Sequence, residues 1–188
     1  AKTSLAPPEL KAVHPLGKSP VITDGGLTVA ESGAILEYLV DTYGQGRLKP
    51  TDPQDLLHYR YYLHFAEGSA MPPLVMKLVF NKIKRAPMPF FVKPIAKGIA
   101  DKVLASFVQP TLDAQLKFLE SELAARPWFA GAEMTAADVQ MSFPLEAAAT
   151  RGGAIESYPK IQAFLKRIHA RPAYQRALER GGPYELMS

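Results

Sequence analysis

The stretch that decides the fold covers residues 14–39 and reads HPLGKSPVITDGGLTVAESGAILEYL. Within it, two short β-branched runs, residues 21–23 and 27–29, flank the triplet Asp24-Gly25-Gly26. Two glycines after an aspartate are typical of the tight turn between antiparallel strands, because glycine readily adopts a positive φ. The sequence therefore predicts a β-hairpin here.

A helix is predicted directly after the hairpin. Ser32 suits its capping position, and Gly44 and Gly46 suit its end. The apolar residues between them recur at helical spacing and predict one buried stripe, formed by Ile35, Leu36, Leu39, Val40 and Tyr43. A hairpin with one helix is too small to be stable alone, so we expect further strands to complete its sheet.

From residue 56 onwards the patterns predict helices only. The region before it, residues 47–55, holds Pro50 and Pro53 and is predicted to be a linker. The first predicted helix covers residues 56–80 and is bent at Pro72 and Pro73. The second covers residues 95–123, is kinked at Pro110 and has Phe107 on its buried face. Three shorter helices are predicted to begin at Thr135, Pro159 and Pro172. The chain is thus divided into an incomplete α/β domain at residues 1–46, a linker at 47–55 and an all-α domain at 56–188.

The start of the third predicted helix carries a capping box. Thr135 can cap the helix while Asp138, in the place of the usual Glu, reaches back to the first amide. Met134 occupies the position of a hydrophobic staple. The apolar residues Val139 and Phe143, with Met141 and Leu145, continue the helix.

Composition excludes several functional classes. The 188 residues include no cysteine, so a disulfide, a thiolate metal site and a cysteine nucleophile are all excluded within them. The net charge of +4 favours a small acidic ligand over a nucleic acid, and the basic cluster Lys77–Arg85 is predicted to be a solvated helix end. No apolar run is long enough to span a bilayer, so we expect no membrane partner. The absence of cysteine makes a cytoplasmic location the simplest interpretation.

The segment Lys18-Ser19-Pro20 has two interpretations. Proline ahead of a strand is often only the residue that starts it, and Lys18 suits a solvated surface position. Alternatively, a cis bond at Pro20 turns the backbone N–H and C=O of Ser19 outward, where they can pair with an extended peptide. Lys18 would then meet a carboxylate of that peptide.

Glu31 and Ser32 have two interpretations as well. They suit an acid near a helix dipole and a plain cap. They also suit a ligand, because a helix N-terminus offers free amides to a carboxylate, Ser32 adds a hydroxyl donor and Glu31 an acceptor for an ammonium group. Together these groups match the α-amino-acid end of a γ-glutamyl peptide.

The order and spacing of residues 14–22, 24–27 and 31–39 resemble the second half of the thioredoxin-like domain of soluble glutathione transferases. Residues 56–188, above all Gly131 through Asp138, resemble the helical domain of that family. The run His14-Pro15-Leu16-Gly17-Lys18-Ser19-Pro20 and the loop Ala86–Pro94 resemble a branch shared by bacteria and fungi. The resemblance implies the glutathione transferase fold. It also implies a strand, a helix and a second strand before Ala1, with the Tyr, Ser or Cys that governs the glutathione thiol. We expect the parent protein to contain them, because the sheet would otherwise expose unpaired edges.

The resemblance implies that Ser19, next to Pro20, contacts the cysteinyl part of glutathione through its backbone. Glu31 and Ser32 would lie at the γ-glutamyl end and Lys18 near the glycyl carboxylate. His14 stands where many relatives have Asn, and Ser19 where many have a branched apolar residue.

The implied reaction is attack by the glutathione thiolate on an electrophilic apolar substrate between the two domains, with glutathione as co-substrate and without a metal. Peroxidase and thiol-exchange chemistry remain open. Candidate substrate-binding residues are His64 and Met71, with Phe65, Phe90 and Phe91, although core packing, or a His64–Glu67 pair, explains them equally. The alternatives are a non-catalytic binding or scaffold module of the same fold and a plain helical interaction protein. A homodimer is implied by the resemblance.

Overall fold

The structure, a computed structural model, describes residues 6–152 and 155–182, and at residues 151 and 152 the backbone alone. The helix α1 (Pro8–Val13) precedes a hairpin of β1 (Val21–Asp24) and β2 (Leu27–Ala30). Val21 lies opposite Ala30 and Asp24 opposite Leu27. Gly25 and Gly26 form the turn with φ of 52° and 89°, which confirms the predicted hairpin. The expected polar opening of the chain, residues 1–5, lies outside the described residues.

The helix α2 (Ser32–Tyr43) follows the hairpin, and Ile35 and Val40 are its buried residues. The predicted capping role of Ser32 is wrong: Ser32 is the first helical residue, Glu31 holds the cap position, and no side chain bonds the helix end. The far end of the predicted stripe is exposed, since Tyr43 is 54% accessible. Its hydroxyl instead donates to Asp24 of β1, as does the hydroxyl of Tyr38 at 2.8 Å. These bonds tie the hairpin to α2.

The predicted long helix over residues 56–80 is interrupted. Helix α3 (Pro53–Phe65) begins inside the predicted linker, because the Asp52 carboxylate accepts from the amides of Gln54 (2.9 Å) and Asp55 (3.1 Å). A π-helical turn, Ala66–Ala70, then leads into α4 (Met71–Arg85).

Proline explains what happens at this turn. Pro73 has no N–H for the Ser69 carbonyl four residues earlier, and that carbonyl instead accepts from the Gln115 side chain at 2.8 Å. The predicted bend at Pro72 and Pro73 is therefore a wider helical turn, completed by a side chain from another helix.

The same arrangement recurs at Pro110. Helix α5 (Lys93–Val103) and helix α6 (Gln109–Ala125) are joined by a second π-helical turn, Leu104–Val108, directly ahead of the proline. The turn changes which residue faces the core: Val108 is fully buried and Phe107, predicted to be buried, is 56% exposed.

Helix α7 (Ala136–Gly152) is packed against α2, α3, α4 and α8 (Pro159–His169), and α9 (Pro172–Gly181) packs on α8. The largest fully buried side chains include Met141 of α7 and, outside this helix, Tyr59, Tyr62, Phe129 and Phe164. A hairpin with its helix followed by helices alone confirms the predicted fold class. Within the described ranges, no helix combines the length and apolarity needed to cross a bilayer.

Candidate functional site

A groove of about 590 Å³ lies between the hairpin with α2 and the helical domain. Its walls contain all five residues predicted to bind a γ-glutamyl peptide. The lining residues are Lys18, Ser19, Pro20, Glu31, Ser32, Ile35, Leu36, Glu67, Val139, Gln140 and Phe143. We call the side formed by residues 18–20, 31 and 32 the near wall, and these are the residues that the sequence predicted. The far wall is formed by residues distant in the chain, Glu67, Val139, Gln140 and Phe143.

The turn ahead of β1 forms one end of the near wall. The Ser19–Pro20 peptide bond is cis, as predicted. Gly17 lies close to α1 and to the residue two positions before this helix. Its φ is +57°, and a Cβ there would lie 2.5 Å from the Cβ of Ala6 and 2.9 Å from the Cγ of Lys11 on α1, so a larger residue does not fit. Lys18 is exposed and forms no ion pair within the described residues.

The start of α2 forms the other end of the near wall. Glu31 has a φ of 73°, a left-handed conformation that turns the chain sharply from β2 into the helix. The Glu31 carbonyl already accepts from the Ile35 amide at 2.9 Å, whereas the first amides of the helix have no partner within it. This end can therefore bind a carboxylate through amides and the Ser32 hydroxyl, and an ammonium group through Glu31.

The far wall combines an apolar surface with one anchored acid. Val139 and Phe143 lie one helical turn apart on α7, 37% and 42% exposed. Between them, the largely buried Gln140 donates from Nε2 to Glu67 Oε1 at 2.8 Å. The predicted His64–Glu67 pair is not among the hydrogen bonds of the described residues. One signal in the sequence could have identified the far wall. Val139 and Phe143 fall on one face of α7 and Met141 and Leu145 on the opposite face, so the spacing divides the apolar residues of this helix between two faces.

The residues predicted to bind the second substrate do not line this groove. His64 is exposed on α3, and Met71 and Phe65 pack against the helical core. Phe90 and Phe91 lie in the loop between α4 and α5 and pack edge to face on each other, with ring centroids 5.5 Å apart. The sequence alone does not show whether a long apolar side chain on a helix faces a groove or the core.

A larger cavity of about 1050 Å³ adjoins the groove and shares Leu36 and Val139 with it. Some charged groups of this cavity already have partners within the protein. Lys49 pairs with Asp41 at 2.7 Å, and the Asp52 carboxylate caps α3. The candidate site is the smaller groove, where the side chains of Lys18, Glu31 and Ser32 converge and form no hydrogen bond with another described side chain.

Two carboxylates near the site have shifted pKa values. The hydroxyls of Tyr43 and Tyr38 lower the pKa of Asp24, and the same bond raises the pKa of Tyr43 to about 12. Burial raises the pKa of Asp138 at the start of α7, although that carboxylate accepts several hydrogen bonds. Asp24 joins the hairpin to α2, and Asp138 joins the start of α7 to the segment before it. Neither carboxylate lines the groove. Within the described residues, His, Asp and Glu form no cluster suited to a metal ion.

A hairpin and helix that present a cis-proline turn across a groove to an all-helical domain define a two-part class of protein with a partial thioredoxin-like domain. Residues 2–41 match the family model for the glutathione S-transferase N-terminal domain, and residues 79–172 match that for the C-terminal domain. The chain belongs to the glutathione S-transferase family.

Relatives and solved structures agree with this assignment. The chain is 33% identical to glutathione S-transferase 1 of Saccharomyces cerevisiae over 184 residues, which are 93% of this chain and 79% of the yeast protein. It is 34% identical to glutathione S-transferase 3 of Schizosaccharomyces pombe, over 93% of this chain and 72% of that protein. The fold is similar to a glutathione S-transferase from Actinobacillus pleuropneumoniae, with a TM-score of 0.72, 30% identity and coverage of 96% and 77% of the two chains. A sphingomonad glutathione S-transferase in complex with glutathione gives a TM-score of 0.70 at 27% identity, with coverage of 93% and 79%.

Proposed function

We propose that this glutathione S-transferase binds glutathione in the groove and catalyses attack of its thiolate on an electrophilic carbon of an apolar substrate. One observation carries the proposal: Lys18, Ser19, Pro20, Glu31 and Ser32 line a single groove. A non-catalytic scaffold of the same fold has no need to keep a lysine, an acid and a helix start together there.

The arrangement of charges gives glutathione one orientation. The ammonium group of its γ-glutamyl end pairs with Glu31, and the neighbouring carboxylate accepts from Ser32 and the first amides of α2. The Ser19 backbone pairs with the cysteinyl part, and Lys18 pairs with the glycyl carboxylate. The sulfur then faces away from the near wall.

The second substrate lies against Val139 and Phe143 in this proposal. These side chains replace His64 and Met71 as candidates, because they belong to the groove lining. An apolar wall suits an apolar electrophile and excludes water from the thiolate. Attack requires the thiolate, which hydrogen-bond donors and positive helix ends favour. Conjugation and peroxidase chemistry share this intermediate.

The remaining parts of the proposal follow from the family. The protein acts as a homodimer in the cytoplasm. Residues 1–46 form the glutathione-binding domain, residues 47–55 join it to the helical domain, and residues 56–188 form that domain.

A thermal shift with glutathione tests the proposal. At a hundred times its Kd, glutathione should add about 2.7 kcal/mol to the free energy of unfolding. Glu31→Ala and Ser32→Ala should each weaken binding by about tenfold, because each removes a hydrogen bond to a charged group. Glu37→Ala is the matched control, since Glu37 is an exposed acid of the same helix outside the groove.

Two results contradict the proposal. If glutathione does not shift the melting temperature of the wild-type protein, the function is wrong. If the shift persists unchanged in Glu31→Ala and in Ser32→Ala, glutathione binds elsewhere and the site is wrong. Circular dichroism of each variant confirms that it is folded.

A further inference from the structure

One acid of the groove has no counterpart on glutathione. Among the described residues that line the groove, Lys18, Glu31 and Glu67 carry charge. In the proposed orientation Lys18 pairs with the glycyl carboxylate and Glu31 pairs with the ammonium group, so glutathione uses both charged residues of the near wall. Glu67 belongs to the far wall, and its charge is not matched by the tripeptide.

A side chain from another helix holds Glu67 in place. Gln140 of α7 is only 5% exposed, and it donates from Nε2 to Glu67 Oε1 at 2.8 Å. Because a carboxylate accepts and does not donate, this bond also fixes which end of the Gln140 amide faces Glu67. Leaving that buried amide without an acceptor costs free energy, so the bond anchors the acid in its π-helical turn.

The carboxylate of Glu67 can still accept from a ligand. Among the described residues its one hydrogen bond is with Gln140, and it forms no ion pair with any of them. Glu67 is exposed, whereas a side chain that served only to tie the turn to α7 is expected to be buried as Gln140 is. The structure thus positions an acid and leaves it accessible from the groove.

This acid lies beside the apolar part of the far wall. Val139 and Phe143 flank Gln140 on α7, and all three line the groove. One hydrogen bond joins Gln140 to Glu67, so the carboxylate is next to the surface on which the proposed function places the second substrate. An apolar surface with a carboxylate at its edge suits a molecule that has an apolar body and a positive charge.

We propose that Glu67 selects apolar electrophiles that carry a positive charge as the second substrate, and that Gln140 positions the selecting carboxylate. The inference rests on the proposed function, since it names the substrate class of the same groove. The glutathione thiolate is a further negative charge that faces the far wall. A cationic electrophile is attracted by both charges, and an anionic electrophile is repelled by both.

A series of maleimides tests the selection. The ring nitrogen carries a benzyl, a 4-(aminomethyl)benzyl or a 4-carboxybenzyl group, so the compounds share the reacting double bond and differ in charge. The thiolate sulfur forms a bond to one carbon of the double bond, and the π electron pair moves into the enolate of the neighbouring carbonyl. The other carbon then takes a proton from water, and no group leaves.

The expected result is a preference that depends on Glu67. After subtraction of the uncatalysed rate, kcat/KM should be at least about tenfold higher for the cationic than for the anionic maleimide, because they differ by two charges in a partly open groove. Glu67→Gln keeps an acceptor for Gln140 but removes the charge, and it should lower this ratio by about tenfold. Glu37→Gln removes the same charge from an exposed position on α2 outside the groove and should keep the wild-type ratio.

Gln140→Leu tests the positioning role. The variant keeps the size of the side chain and removes the donor, so Glu67 is free to turn towards water and the ratio should fall by about threefold. A merely structural role would lower the rates with all the maleimides by the same factor and leave the ratio unchanged. Gln140→Leu combined with Glu67→Gln should give the ratio of Glu67→Gln alone, because Gln140 acts through Glu67.

Binding without reaction separates the selection from the proposed function. Succinimides with the same substituents have no double bond and cannot react. By calorimetry in the presence of S-methylglutathione, which has no thiolate, the cationic succinimide should bind at least about tenfold more tightly than the anionic one. If this preference depends on Glu67 but no maleimide is conjugated, the selection stands and the proposed function is wrong.

Two results overturn the selection and leave the proposed function intact. The first is conjugation of the maleimides with the same ratio in wild type and in Glu67→Gln. The second is a higher KM for glutathione in Glu67→Gln with an unchanged ratio, because Glu67 would then bind the ammonium group of glutathione. Circular dichroism of each variant shows that it is folded.

Discussion

Replacing Asp138 tests how the helical domain is held together. Its Oδ1 accepts from the Phe129 amide at 2.8 Å, and its Oδ2 accepts from the Thr135 amide at 2.8 Å and hydroxyl at 3.0 Å. The carboxylate is fully buried, and so is Phe129. One side chain thus joins the loop before α7 to the first turn of that helix. The predicted reach of Asp138 back to the Thr135 amide is confirmed, whereas the Thr135 hydroxyl donates to the Asp138 carboxylate.

The magnitude follows from these bonds. Asp138→Ala leaves the amides of Phe129 and Thr135 without acceptors, and each buried unsatisfied donor costs about 1–3 kcal/mol. Part of this loss is offset, because the folded variant no longer has a carboxylate that must be buried away from water. We therefore expect a loss of about 3 kcal/mol in the free energy of unfolding, a large share of the roughly 5–15 kcal/mol that a native protein has. Asp138→Asn should lose about half as much, because its one oxygen still accepts a bond.

Urea denaturation followed by circular dichroism measures this loss. The slope of the free energy against urea should stay constant, so that the midpoint alone moves. Glu133→Ala, an exposed acid five residues earlier, should change stability by less than about 0.5 kcal/mol. A loss under about 1 kcal/mol in Asp138→Ala would refute the idea that this carboxylate organises the domain.

The pH dependence of the same variants has a defined sign. Burial raises the pKa of Asp138 above its ordinary value of 3.8, so the folded state binds its proton more tightly than the unfolded state. The stability gained from this difference is largest below 3.8 and is lost as pH rises through the raised pKa. The advantage of wild type over Asp138→Asn should therefore grow as pH falls from about 7 towards about 4. A constant difference would contradict the direction of the shift.

Two further predictions concern single bonds. Gln115→Ala should lower the free energy of unfolding, measured by urea denaturation, by about 1 kcal/mol, because the Ser69 carbonyl ahead of Pro73 loses the Gln115 donor. A loss no larger than that of the exposed control Lys117→Ala would contradict this prediction. In an absorbance titration, Tyr43 should ionise near pH 12, and Asp24→Asn should return it towards 10. Because the pKa of Asp24 is lowered, the bond stabilises the hairpin above pH 3.8 and is lost as pH falls through the lowered value. Tyr43→Phe identifies the titrating group, and an unchanged curve in that variant would contradict the assignment.

Local sequence signals predicted the near wall of the groove well. The hairpin depends on two adjacent glycines, the turn ahead of it on Pro20, and the capping box on Thr135 and Asp138, and each signal extends over a few residues. The same locality explains the error at Ser32. A serine at a strand-to-helix junction usually caps the helix, but the left-handed Glu31 moves the cap position one residue earlier.

The far wall could not be predicted because it depends on packing between distant segments. Glu67 and Gln140 are 73 residues apart in the chain, and nothing near either one indicates the other. Prolines at 72, 73 and 110 predicted where two helices are interrupted. They did not predict π-helical turns, and each extra residue in such a turn rotates the apolar face that follows. Phe107 is exposed for this reason.

Irregular backbone positions supply much of the groove. Glu31 is the left-handed residue between β2 and α2, and Glu67 lies in the first π-helical turn. Gln140 is four residues before Pro144, which has no N–H for its carbonyl inside α7. Regular helices and strands satisfy their own backbone groups and bury their apolar faces, so they leave few groups for a ligand. The places where proline or a positive φ interrupts that regularity are therefore where this fold presents side chains to the groove.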